Sequence, residues 1–144
     1  MRGFQFTLDK LLRLREAEKK QQQLKTAKAY TIVEQRTEQV ANLGTKRAEA
    51  LRMKDEPSVV SMQLNYRHRQ YLTCVLKNAQ DQLHQAKEEH ARQQEYLREA
   101  TKDYKVLVLL RDRQKDMHRR AMQRREQQML DEFASFARVR QERG

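Results

Sequence analysis

The residues able to do chemistry in this chain are few, and their spacing does not suit it. Four histidines, His68, His84, His90 and His118, include no pair at i, i+4, and there is no HExxH, no CxxC and no glycine-rich phosphate loop. The adjacent carboxylates Glu88/Glu89 and Asp131/Glu132 could act as acid and base only inside a pocket that shifts their pKa values. A chain with 35% charged residues, three Gly and one Pro offers no compact core in which to build one. Cys74 is the single cysteine, which excludes an intrachain disulfide or a thiolate zinc site and suits a reducing compartment. It falls at an outer heptad position, where an exposed thiol is inert apart from oxidative cross-linking. The reading is a protein that is not an enzyme, with no catalytic residues, no cofactor and no metal.

The elements explain why no pocket is expected. Over 144 residues the mean hydropathy is −1.10, with abundant Gln, Lys, Arg, Glu and Ala and almost no helix breakers. That composition belongs to long helices or to disorder, and a sustained hydrophobic period decides between them. Steps of 3 and 4 from Leu76 pass through Ala79, Leu83, Ala86, His90, Gln93, Leu97, Ala100, Tyr104 and Leu107, eight of the ten positions being apolar. This is a heptad seam. The first half follows a weaker one through Tyr30, Val33, Thr37, Val40, Gly44, Arg47 and Leu51, which Leu8, Leu11 and Leu12 join only after a shift. Between the halves, MKDEPSVV (Met53–Val60) is the punctuation. Pro57 cannot continue a helix and biases Glu56 away from helical angles, and Ser58 is a natural N-cap.

The spacing therefore predicts an all-α fold, a long antiparallel two-helix coiled coil (a helical hairpin) with a C-terminal helical extension. It forms one domain over 1–144, with helix 1 about 5–54, a turn about 55–58 and helix 2 about 59–140. With equal rise in both arms, residue i faces roughly residue 112 − i. Val33 then lies near Ala79, and Phe4 to Leu12 lie near Ala100 to Val108. Phe4, Phe6, Leu8 and Leu11 are placed to wrap over Val106 and Leu109 and close the open end; the alternative is an exposed docking patch. Residues 112–144 are left without a first-helix partner, about 50 Å of helix. They run as a basic stretch into a tip on which Met129, Leu130, Phe133, Phe136 and Ala137 recur at helical spacing. Nothing within one chain covers that tip, so a partner is implied.

The net charge of +11 points to an anionic partner without choosing among nucleic acid, lipid and acidic protein. Arg111–Arg125 could track phosphates, but Asp112, Asp116 and Glu126 interrupt it and no aromatic residues alternate with the cations to stack on bases. Membrane attachment through the tip is weaker still, since Asp131 and Glu132 repel anionic lipid. The N-terminus has no apolar targeting segment, and the longest aliphatic run, VLVLL (Val106–Leu110), is far short of the roughly 20 residues that span a bilayer. A soluble cytoplasmic protein is expected.

Three stretches carry a family resemblance. The opening FQFTLDKLLRLREAE, the central LNYRHRQYLTCVL and the ending REQQMLDEFASFARVR, where a basic helix runs into Asp-Glu-Phe, resemble FliJ, the small coiled-coil family of the flagellar type III export apparatus. The resemblance implies a stalk similar to the central subunit of rotary ATP synthases, whose paired ends enter the hexameric ring of the export ATPase FliI. It also implies contact with the export gate protein FlhA, association with export chaperones, and a place at the cytoplasmic face of the membrane-embedded apparatus. On this resemblance Asp131, Glu132 and Phe133 match the motif near the ATPase and Tyr66, Tyr71, Leu72 and Leu76 the stretch near the gate; the apolar residues Phe4, Leu8, Leu11, Leu130 and Phe136 complete the candidate ATPase side. The alternatives are the equivalent stalk of a virulence-type injectisome, a coiled-coil homodimer and a basic nucleic-acid-binding helical protein.

Overall fold

A computed structural model describes residues 3–54 and 57–144. Helix α1 runs over Asp9–Arg52 and helix α2 over Val59–Arg143. No strand occurs among the described residues, and the two helices pack against each other as in a helical hairpin. Asp55 and Glu56, which the sequence reading places in the turn, lie outside the described residues.

Each helix end has a local cause. The carbonyl of Leu8 accepts the first helical bond of α1 from Leu12 N–H at 2.9 Å. Asp9 then sits in the first turn, where a carboxylate complements the helix dipole, and pairs with Arg13 at 3.1 Å. Residues 3–6 are not helical, so α1 starts later than the expected residue 5. At its other end the Arg69 guanidinium of α2 donates from Nε to the Ala50 carbonyl and from Nη2 to the Met53 carbonyl, both at 3.1 Å. These carbonyls belong to the last turn, which has no helical donors of its own. Pro57 stops any continuation, and the Ser58 carbonyl accepts from Met62 N–H at 3.0 Å, which makes Ser58 the N-cap residue of α2.

Contacts divide the chain into two compact units, one of residues 18–100 and one of residues 1–17 with 101–144. In the first, Gln22 and Thr26 meet Gln93, Tyr30 meets His90, Arg36 meets Gln82 and Ala50 meets Arg69. Rising numbers on α1 thus meet falling numbers on α2, but the pairing follows about 119 − i where 112 − i was expected. The cause is the overhang of the first turns of α2. Because Arg69 already reaches the end of α1, Val59, Val60, Met62, Leu64 and Tyr66 come before the paired stretch and are exposed.

On α2 every seam position from Leu76 to Leu107 is buried or half-buried, in the expected 3,4 order. On α1 an unbroken 3,4 series of covered positions runs through Leu12, Arg15, Lys19, Gln22, Thr26, Ala29, Val33, Arg36, Val40, Leu43, Arg47 and Ala50, with Asp9, Leu11, Glu16 and Gly44 half-buried beside it. Four of the seven positions expected there, Val33, Val40, Gly44 and Arg47, are covered, Gly44 beside the series at Leu43, whereas Tyr30, Thr37 and Leu51 are exposed. Leu12 belongs to the same register and needs no shift. Half of this seam is polar, and long Arg and Lys stems can cover apolar surface while their charged heads stay wet.

In the second unit Phe6, Leu12 and Leu107 form a buried cluster, with Phe4, Leu11, Tyr104, Val108 and Leu110 packed around it. The aromatic N-terminus therefore does wrap the VLVLL segment, but on its other side. Val106 and Leu109, the residues it was expected to cover, remain 62% and 69% exposed. Phe4 reaches His118, with ring centroids 5.8 Å apart, ten residues beyond the expected position 108. Extended chain advances about 3.3 Å per residue against 1.5 Å for helix, so the non-helical start stretches farther along α2 than an equal-rise estimate allows.

Candidate functional site

The groups that might have done acid–base or metal chemistry are scattered. His84 Nε2 lies 3.1 Å from Glu88 on an exposed face, His90 stacks at a tilt on Tyr30, and His118 meets Phe4. Glu88 and Glu89 diverge, the first toward His84 and the second toward Arg92 at 2.8 Å. Among the described residues no group of three or more His, Cys, Asp or Glu is placed to hold a metal ion, and no helix is long and apolar enough to cross a membrane. Cys74 is exposed. In the basic stretch, Asp112 pairs with Arg111 at 3.3 Å, and Asp116 with Arg119 at 2.9 Å and Arg120 at 3.0 Å, so the acids that interrupt it also partly neutralise it.

The tip of α2 is the clearest unoccupied surface. Half-buried positions continue past Leu107 through Arg111, Gln114, His118 and Met122, after which every residue from 123 to 144 is exposed. Cover from the N-terminal segment thus extends about ten residues farther than the predicted limit near residue 112. Beyond it the apolar stripe goes on. Phe133 and Phe136 are 70% and 69% exposed, with Met129, Leu130 and Val139 beside them. At about 100° per residue, Met129, Phe133 and Phe136 lie on the same side of the helix as Arg111, His118 and Met122. The stripe is therefore the seam face of α2 carried past the end of its cover. Asp131 accepts a bond from Gln127 Nε2 at 3.2 Å, one turn back, and its backbone carbonyl accepts from Ser135 Oγ at 2.9 Å. Arg125 and Gln128, also within one to two turns, are not its partners in these bonds.

The other residues singled out from sequence fall into different roles. Phe4 and Leu11 are packed into the cluster around Leu107, while Leu8 is at the margin of exposure. Leu130 lies twelve residues, about 18 Å of helix, beyond His118, so the N-terminal and C-terminal ATPase-side sets form separate surfaces. Of the gate-side set, Leu72 and Leu76 are buried on the seam and Tyr66 and Tyr71 are exposed. Five residues apart, the two tyrosines leave α2 about 140° from each other. The Tyr66 hydroxyl accepts from Gln70 Nε2 at 2.7 Å. Sequence reasoning missed the exposed apolar residues Met53, Val59, Val60, Met62 and Leu64, and it assigned the exposed Leu51 to the α1 seam. Their signal was available, since all are large apolar residues close to Pro57 on one side or the other.

Neither the comparison with curated proteins nor that with solved structures finds a match. The flagellar FliJ protein family matches over residues 4–143, from the Phe4 that caps His118 to the last residue of α2. This is a non-catalytic family of flagellar protein export. With that match over nearly its whole length, this two-helix chain, its N-terminal aromatics packed on α2 and an apolar stripe left bare at its C-terminal tip, belongs to the FliJ family of flagellar export proteins.

Proposed function

We propose that this chain is a non-enzymatic, stalk-like antiparallel coiled coil that binds the hexameric export ATPase FliI through its C-terminal tip. In this reading it links the ATPase to the export gate protein FlhA and promotes delivery of substrates and chaperones at the cytoplasmic face of the export apparatus. The observation that carries the reading is the seam face of α2, which continues through Met129, Phe133 and Phe136 after its intramolecular cover ends at Met122. Such a stripe does little for the folding of the free chain and becomes useful when another surface buries it.

Phe133 is the proposed anchor, since aromatic side chains seated in pockets dominate interface energies. Asp131 and Glu132 precede it and can fix the docking register through cations of the ring. A single stalk cannot touch six subunits equally, so its contacts would bias the nucleotide-dependent states of the ring. Positive charge on the stalk would speed its entry into an acidic channel. Tyr66 and Tyr71, at the other end of the described α2 surface, are the gate-side contacts we favour, with Leu72 and Leu76 holding the seam beneath them.

The test is association with the ATPase, measured by calorimetry or interferometry, for the intact chain and for Phe133→Ala. Weakened association at unchanged helicity supports the reading. Unchanged association moves the docking surface to Leu8 and its neighbours or to the paired helices.

A further inference from the structure

The unit of residues 18–100 carries an open groove of about 600 Å³ between α1 and α2. Ala29 and Ala86, both seam residues, line its floor, and their small side chains leave the space. The α1 wall is Lys25, Lys28 and Ile32, and the α2 wall is Gln85 and Glu89. Bonds between the helices bridge both ends. Arg36 Nη1 donates to Gln82 Oε1 at 3.0 Å at one, and at the other Gln22 Nε2 donates to Gln93 Oε1 at 2.6 Å. From Gln82 to Gln93 is about 16 Å of helix, the length of three turns.

The two flanks of this stretch differ. Tyr30 and His90 meet with ring centroids 5.6 Å apart, and at about 100° per residue Tyr30 leaves α1 on the opposite side of Ala29 from Lys28. One flank is thus covered by a pair of rings, and the other is open with Ile32 exposed at its rim. The charges of the open flank are also unbalanced. Lys25 and Lys28 make no ion pair among the described residues. Glu89, the acid of the α2 wall, is held by Arg92 at 2.8 Å and by Gln93 Nε2 at 2.8 Å, and Arg36 is engaged with the neutral Gln39 and Gln82.

We infer that this groove receives a third helix from another protein chain, a short amphipathic helix with small apolar residues toward Ala29, Ile32 and Ala86 and Asp or Glu along the flank facing Lys25 and Lys28. An apolar floor between bridged ends is the shape of a helix-in-groove site, and the cationic rim selects an acidic occupant. A nucleic acid would need cations along both walls, and here the α2 wall is Gln and Glu. A second copy of this chain would bring its own charge of +11 against the same rim.

The test uses the intact, isotope-labelled chain and a synthetic amphipathic peptide of about 14 residues with Ala and Leu on one face and Glu beside it. A second peptide with Lys in place of Glu is the control. The acidic peptide should shift the amide resonances of residues 25–36 and 82–93 and bind at least about tenfold more tightly than the Lys peptide. The double substitution Lys25→Glu, Lys28→Glu changes two exposed side chains. It should weaken the acidic peptide about tenfold or more while leaving the melting temperature and ATPase association unchanged. Any one of four results overturns the inference: no binding at millimolar peptide, shifts concentrated on residues 111–125, equal affinity for intact and substituted chains, or tighter binding of single-stranded DNA to the same amides. Loss of ATPase association in the substituted chain would also overturn it, since the groove would then belong to the ATPase surface.

Discussion

Two stretches of α2 carry nearly the same pattern and have opposite fates. From Leu72 to Met122 the apolar and small residues at 3,4 spacing are covered; from residue 123 to the C-terminus they are not, although Met129, Phe133 and Phe136 keep to the same face. Helical periodicity therefore reports which face a helix offers and leaves open what, if anything, accepts it. In the covered stretch the stripe stabilises the fold, and in the bare one it is available for binding. This division can be broken by substitutions that treat the two stretches alike.

The largest effect should come from Leu76→Asp. Leu76 is only 8% exposed, so the change removes a burial worth roughly 1.5–3 kcal/mol and adds a desolvated charge. Helicity measured by circular dichroism should be lost at temperatures where the native chain is folded. The same substitution at Leu130 should leave the melting curve in place. If both unfold the chain, the tip is part of the core.

Next in size is Phe133→Ala, expected to weaken ATPase association by roughly 2 kcal/mol, about thirtyfold, with no change in melting temperature. Arg69→Ala is smaller. It removes the bonds to the Ala50 and Met53 carbonyls and should cost about 1 kcal/mol, seen as faster amide exchange confined to the last turn of α1 and the start of α2. Smallest is Asp116→Asn. The pairs with Arg119 and Arg120 are largely exposed, and their loss should shift stability by no more than about 0.5 kcal/mol, within the scatter of a thermal melt.

The α2 seam was legible in the sequence because its positions are mostly Leu and Ala at regular spacing, and the Ser58 cap because Pro57 precedes it. The α1 seam was misread. Tyr30 and Leu51 attract attention as large apolar residues, yet the covered residues beside them are Ala29 and Ala50, with Arg15, Lys19, Arg36 and Arg47 elsewhere on the same line. A seam built of alanines and cationic stems has little hydrophobic contrast, and its position is set by the partner helix. The register was misjudged for a related reason. Equal rise in both arms ignores the overhang before Arg69 and the extended run at Phe4, and each moves cover toward the C-terminus of α2. For the candidate site, the tip stripe could be read directly. The split of the gate-side residues into buried leucines and exposed tyrosines could not, because it depends on that register.

The central claim is that residues 123–144 serve binding and not folding, and deleting them tests it most directly. The shortened chain, ending at Met122, should melt at nearly the same temperature as the intact chain, retain the cap of Phe4 on His118 and lose association with the export ATPase. A shortened chain that unfolds, or one that binds the ATPase as tightly as the intact protein, would contradict the account.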